Sequence, residues 1–234
     1  MYTAPDRKAA SPRSMLALHS MRDIRLASGG SARLFGTGRT VVVLGHGAGG
    51  TRETPMLVAL AEALERSGRA ALLYNFPYSE RRQRRPDPPR VLEAAAREAG
   101  DVALAESGAS RVVHGGRSMG GRIASQVVAA GAPAAGLVFL GYPLHPPGQP
   151  EKRREAHLPS VAAPMLFVGG TRDAFARPDL LAALLDRLGP RAERHDVEAA
   201  DHSFGVLKRS GRTPGDVEDE VRRVVLDWLH RQHL

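Results

Sequence analysis

The residues that most constrain this chain are Val112-Val113-His114-Gly115-Gly116-Arg117-Ser118-Met119-Gly120-Gly121. Gly116 to Gly120 fits the pattern G-x-S-x-G, in which a strand turns sharply into a helix and leaves a serine at the tip. Bulky side chains two residues either side of Ser118 would collide with neighbouring backbone, so glycine occupies both places. A serine presented in this way is a candidate nucleophile. The plainer reading is a glycine-rich turn with a structural serine, and the rest of the chain decides between them.

The flanking sequence alternates strand and helix. Arg22 to Leu26 and Ala32 to Phe35, joined by a Gly-Gly turn, read as an opening antiparallel hairpin. Thr40 to Leu44 is a continuous β-branched run, as in a strand buried on both faces, and it ends in Gly45-His46-Gly47-Ala48-Gly49-Gly50. A helix is predicted from Pro55 to Arg66, with Leu57, Leu60, Ala61 and Leu64 at helical spacing. The pattern continues with strand Ala70 to Tyr74, helix Val91 to Glu106, strand Val112 to His114, helix Ile123 to Ala130 and strand Gly136 to Leu140. Strand Met165 to Val168, helix Leu180 to Leu188, strand Arg194 to Val197 and helix Val217 to His230 complete it. This alternation predicts an α/β fold with a mostly parallel central sheet flanked by helices on both faces. Two segments break the rhythm: a basic, proline-containing loop over 79–90 and a long connection over 141–163, too short for a large cap domain.

A chain of 234 residues, 42% of them hydrophobic, is long and apolar enough to bury a core without disulfides or metals. We expect one domain over 21–234, preceded by a flexible tail over 1–20, with Met15 and Met21 as possible later starts. The absence of cysteine excludes disulfides, thiolate zinc sites and a cysteine nucleophile. No apolar run reaches the roughly 18 residues needed to span a bilayer, and the first twenty lack the apolar centre of a secretory signal, so a cytoplasmic protein that does not engage membranes is expected. The net charge of +8 raises nucleic acid or an acidic substrate as a partner. Arg81, Arg82, Arg84 and Arg85 carry part of that charge, but only Phe76 and Tyr78 lie near them in sequence, short of the stacking surface a single-strand binder uses. The expected partner is therefore a small-molecule acyl substrate rather than nucleic acid; oligomeric state is not legible.

A nucleophilic serine needs a base, and the base needs a carboxylate to fix its tautomer. The run Met165 to Val168 leads into Gly169-Gly170-Thr171-Arg172-Asp173, and the run ending at Val197 leads into Glu198-Ala199-Ala200-Asp201-His202-Ser203-Phe204. Asp173 and His202 thus each follow a strand, and parallel strands deliver them to the same sheet edge as Ser118. The developing oxyanion needs two N–H donors, expected from Met119 and from Ala48 in the loop after the strand ending at Leu44. That loop lacks both the Lys-Ser/Thr ending of a P-loop and the spacing of a dinucleotide fingerprint, so phosphate binding is the weaker reading. No cofactor or metal is required.

Taken together, LGHGAGG, YNFPY, GGRSMGG, GYPLHPPG, FVGGTRD and ADHSF resemble α/β-hydrolases of the dienelactone-hydrolase-like branch. More narrowly, the chain is similar to the small hydrolase-like family that includes a testis-expressed protein, a regulatory subunit of the NSL histone-acetyltransferase complex and bacterial members. The resemblance covers Val41 to the C-terminus and implies an α/β-hydrolase fold with a serine-hydrolase site. Dienelactone hydrolases use a cysteine nucleophile, whereas this chain offers Ser118. Some relatives act as interaction subunits, so a catalytically silent scaffold is the alternative to an enzyme cleaving ester, thioester or related acyl bonds.

His46, Phe76, Tyr78, His145 and Phe204 are candidate pocket residues, although for His46 orienting the oxyanion loop by hydrogen bonds is the favoured reading. Arg117 and Arg122 flank the serine and are expected to pair with local carboxylates, with a hold on an anionic substrate as the sharper alternative.

Overall fold

The structure, a computed structural model, describes residues 21–234; the tail expected over 1–20 lies outside the described residues. Eight strands form one sheet: β1 Met21–Arg25, β2 Ser31–Phe35, β3 Thr40–Gly45, β4 Ala70–Asn75, β5 Arg111–Arg117, β6 Gly136–Leu140, β7 Met165–Gly170 and β8 Ala192–Val197. Their spatial order is β1-β2-β4-β3-β5-β6-β7-β8. Strand β2 runs antiparallel to β1 and β4, and every other pairing is parallel. The mostly parallel sheet is therefore as expected, with the opening hairpin as its antiparallel edge.

Among the described residues six helices accompany the sheet: α1 Pro55–Arg66, α2 Pro77–Glu80, α3 Pro89–Ser107, α4 Met119–Ala129, α5 Pro178–Leu188 and α6 Pro214–Arg231. Strand β3 shows why both faces must be covered, since all its residues are buried and successive side chains point opposite ways. Val42 and Leu44 join a cluster with Leu57, Leu60 and Leu64 of α1 and Val221, Val225 and Trp228 of α6. Val41 and Val43 join the other face, against Leu92 and Ala99 of α3 and Ile123 and Val127 of α4. Further along that face, α5 packs Leu181, Leu184 and Leu188 against Phe139 and Phe167.

From β3 the chain crosses to β4 on one side, whereas after β5 it steps through β6, β7 and β8 on the other. The loops leaving the carboxyl ends of β3 and β5 consequently diverge, and a crevice opens between them. The connection over 141–163 builds no helical cap; among the described residues it holds one 3₁₀ turn, Leu158–Ser160. It is tied down by the buried Glu155 carboxylate, which pairs with Arg153 at 2.6 Å and Arg187 at 3.3 Å.

Candidate active site

Strand β5 runs through both glycines to Arg117, three residues beyond the expected end at His114, because Gly115 and Gly116 still pair with Val138 and Phe139. A side chain at Gly115 would sit 2.2 Å from the Val138 carbonyl oxygen. At Gly116 and at Gly120 it would sit 2.2 Å from the carbonyl oxygen of Gly45, which is how the G-x-S-x-G spacing lets the turn press against β3. Ser118 occupies the turn at φ +49° and ψ −113°, a conformation that costs a non-glycine residue of order 1–3 kcal/mol. Its N–H donates to the Leu140 carbonyl at 2.9 Å and its carbonyl accepts from the Arg122 N–H at 3.1 Å, so strand and helix together hold the strain.

The Ser118 hydroxyl lies 2.8 Å from His202 Nε2, and His202 Nδ1 lies 2.8 and 2.9 Å from the two oxygens of Asp173. An ionised carboxylate only accepts, so Nδ1 carries the ring proton and Nε2 offers its lone pair to the hydroxyl. Asp173 Oδ1 also accepts from the Phe175 N–H at 2.7 Å, and the acid's side chain is only 2% exposed. Asp201 shapes the histidine loop by accepting from the N–H groups of Ser203 and Gly205 at 2.8 and 2.9 Å. Phe175 stacks on the His202 ring with centroids 4.0 Å apart. Sequence reading missed Phe175, whose one signal is an aromatic two residues after the acid.

The loop after β3 brings Ala48 to the same cleft, and neither its N–H nor that of Met119 donates to an acceptor among the described residues. Two free N–H groups beside a serine hydroxyl are suited to an oxyanion. His46 is fully buried beneath them. Its Nε2 accepts from the Phe76 N–H at 3.2 Å, so Nδ1 bears the proton and donates to the Gly47 carbonyl at 2.8 Å. Burial pushes the His46 pKa below the ordinary histidine value, which keeps the ring neutral. Tyr78 supports the same loop by accepting from the Gly49 N–H at 3.2 Å.

The cleft holding Ser118 has a volume of about 580 Å³. Its wall differs from expectation, because none of the five candidate pocket residues is on it. His46, Phe76 and Tyr78 are buried under the Ala48 loop as its foundation. His145 is buried too, with Nδ1 donating to the Pro146 carbonyl at 2.8 Å and Nε2 accepting from the Arg177 N–H at 3.0 Å, so it supports the Asp173 loop. Phe204 faces a neighbouring depression between Met56 and Val217. The wall is made instead by Leu92, Pro143 and Phe175 and by the three arginines Arg117, Arg122 and Arg154. Contrary to expectation, neither Arg117 nor Arg122 pairs with a carboxylate among the described residues. Arg122 donates to Gln126 Oε1 at 3.3 Å, while its buried Nε has no partner.

A family model described as an alpha/beta hydrolase domain matches residues 38–230. Among solved structures, dienelactone hydrolase from Anabaena variabilis superposes with a TM-score of 0.71 at 21% identity, covering 91% of this chain and 98% of that one. An alpha-beta serine hydrolase homologue from Coxiella burnetii gives 0.70 at 18% identity, with 90% and 97% coverage. A serine hydrolase without lid from Xanthomonas campestris gives 0.68 at 16% identity, with 91% and 95% coverage. At these identities the likeness is one of fold.

Proposed function

Since this chain belongs to the alpha/beta hydrolase domain family, we propose that it is a serine hydrolase that cleaves an ester, thioester or related acyl bond of a small to medium substrate. The observation that carries this reading is the unbroken hydrogen-bonded chain Ser118–His202–Asp173 at 2.8 to 2.9 Å, opening on a cleft that also presents the N–H groups of Ala48 and Met119.

In this reading Ser118 Oγ attacks the acyl carbon while His202 Nε2 takes its proton. Asp173 holds the ring in the reactive tautomer and stabilises the imidazolium. The carbonyl oxygen becomes an oxyanion in the reach of Ala48 and Met119, where one such donor contributes about 10²–10³ in rate. Collapse of the tetrahedral intermediate breaks the bond to the leaving group, which receives the proton from His202. Water then enters, gives a proton to His202, attacks the acyl-serine and releases the acid with return of that proton to Ser118. The open connection over 141–163 leaves the cleft accessible to a substrate from solvent.

Within the family, the motifs LGHGAGG, GGRSMGG, FVGGTRD and ADHSF support a place beside the small hydrolases related to the testis-expressed protein and the NSL-complex subunit. A cytoplasmic location goes with this reading; among the described residues no helix is long and apolar enough to cross a membrane. A fluorophosphonate probe should label the wild-type protein and spare Ser118→Ala, with turnover of a nitrophenyl ester panel lost in parallel. Full turnover by Ser118→Ala would overturn the assignment, and an unlabelled, inactive wild type would favour the silent scaffold.

A further inference from the structure

The cleft beside Ser118 is lined by three arginines that form no ion pair among the described residues. Arg122 lies one helical turn beyond Ser118 on α4, so both residues address the same cavity. Arg154 reaches it from the connection over 141–163, and Arg117 from the end of β5. None of the three side chains makes an ion pair among the described residues. The neighbouring Arg153 is paired, since the buried Glu155 is shared by Arg153 and by Arg187 of α5.

Asp201 and Asp173 act on Arg117 through space, but neither reaches ion-pair distance. Asp173 accepts from His202 and Phe175, and Asp201 accepts from the backbone of its own loop. Glu93 acts on Arg122 through space without reaching ion-pair distance. Asp87, also on the wall, pairs with Arg81 at 2.5 Å and keeps one buried oxygen without a partner. Burial, followed by the Arg154 cation, pushes the Arg122 guanidinium below its ordinary pKa. Two half-buried cations facing one another without a counterion destabilise the empty protein, and a bound anion removes that penalty.

We propose that the cleft selects an acyl substrate bearing a carboxylate or phosphate group a few bonds from the scissile carbonyl, held by Arg122 and Arg154. The planar guanidinium fork, which lysine lacks, matches either anion with paired hydrogen bonds. Arg117 adds positive potential from the Ala48 side, where its Nη1 lies against Gly47. This inference rests on Ser118 being the nucleophile.

The test compares mono-4-nitrophenyl glutarate with 4-nitrophenyl butyrate, which share a leaving group and differ in the acyl carboxylate. The expected result is a kcat/KM ratio of at least tenfold in favour of the glutarate, falling at least tenfold in Arg122→Gln and in Arg154→Gln. Arg66→Gln, the same charge change on the exposed face of α1, should keep the wild-type ratio. A wild type that prefers butyrate, or variants that keep the wild-type ratio, would overturn the proposal while leaving the hydrolase reading intact. If neither ester is turned over, the hydrolase reading fails and calorimetric titration decides the anion site alone. Binding of glutarate or inorganic phosphate that Arg122→Gln abolishes supports the site, the two ligands separating carboxylate from phosphate; no binding of either overturns it.

Discussion

Helix α4 and the turn that opens it carry two serine–histidine pairs, and only one of them has the geometry of a base and a nucleophile. Ser118 at its start lies 2.8 Å from His202 Nε2; Ser125, seven residues on, lies 2.7 Å from His157 Nε2. Distance does not separate the pairs, but proton bookkeeping does. Ser125 spends its single hydroxyl proton on the Arg122 carbonyl at 2.7 Å, so it can only accept from His157, whose proton must be on Nε2. That is the opposite tautomer from the one a general base needs. Asp173 holds the proton of His202 on Nδ1, whereas no carboxylate pairs with His157 among the described residues. Ser118 also faces a cleft from a left-handed turn, while Ser125 is fully buried within the helix. A close serine–histidine contact is a base and nucleophile only when a third group fixes the tautomer and space remains for a substrate.

The largest separation between the pairs is in turnover. Ser118→Ala is expected to lower kcat by about 10⁶, the scale seen when a triad nucleophile is removed. Asp173→Asn should follow at about 10⁴, because an amide in that place favours the His202 tautomer with its proton towards Ser118. Single-turnover release of nitrophenol reads both directly. A Ser118→Ala protein with wild-type kcat would move the chemistry to another group and dissolve the contrast.

The sheet and the Ser118, Asp173 and His202 positions were legible because each depends on local pattern. Buried runs announce strands, and chemistry at the ends of parallel strands converges on one edge. Apolar periodicity places helix starts at Val91, Ile123, Leu180 and Val217, where the first periodic apolar residue stands. The helices begin earlier, three of them with a proline in the first turn. Helix α6 is also closed by a capping box between Thr213 and Asp216. Glycine in sequence signals a turn and so shortens the expected strand ends, yet Gly115, Gly116, Gly169 and Gly170 all pair in the sheet. The cleft wall was beyond local pattern. Residues close in sequence to the Ala48 loop and the strand ends, such as His46 and Phe76, lie beneath the candidate site, and Arg154 and Phe175 reach it through loop paths that periodicity does not encode.

The contrast among histidines extends to stability. His114 is buried against α3, with Nε2 donating to the Pro133 carbonyl at 3.1 Å, and burial lowers its pKa to about 4. His46 and His157 are also lowered, first by burial. For a histidine lowered on folding, the unfolded chain binds the proton more readily. The stabilisation is fully present above the unfolded pKa near 6.5, falls as pH drops below it, and is exhausted near the folded pKa of about 4. The shift at His114 corresponds to about 3 kcal/mol across that window. Urea unfolding at a series of pH values from 7.5 to 4 should show the decline, and His114→Asn should flatten it. An equally steep decline in the variant would assign the effect to other groups.

The smallest expected effect isolates the second pair. Ser125→Ala removes the acceptor from a half-buried His157 N–H, and an orphaned donor of that kind costs about 1–2 kcal/mol. The contact joins α4 to the connection over 141–163, so the loss should loosen that loop, seen as faster amide exchange around Leu158. Turnover of 4-nitrophenyl butyrate should remain within about threefold of wild type, because neither residue touches the chain from Asp173 to Ser118. His157→Gln keeps a donor near Ser125 and should recover part of the stability without changing turnover. If Ser125→Ala instead abolished turnover at unchanged stability, the buried pair would be chemical rather than structural, and tautomer and cavity would no longer distinguish the two.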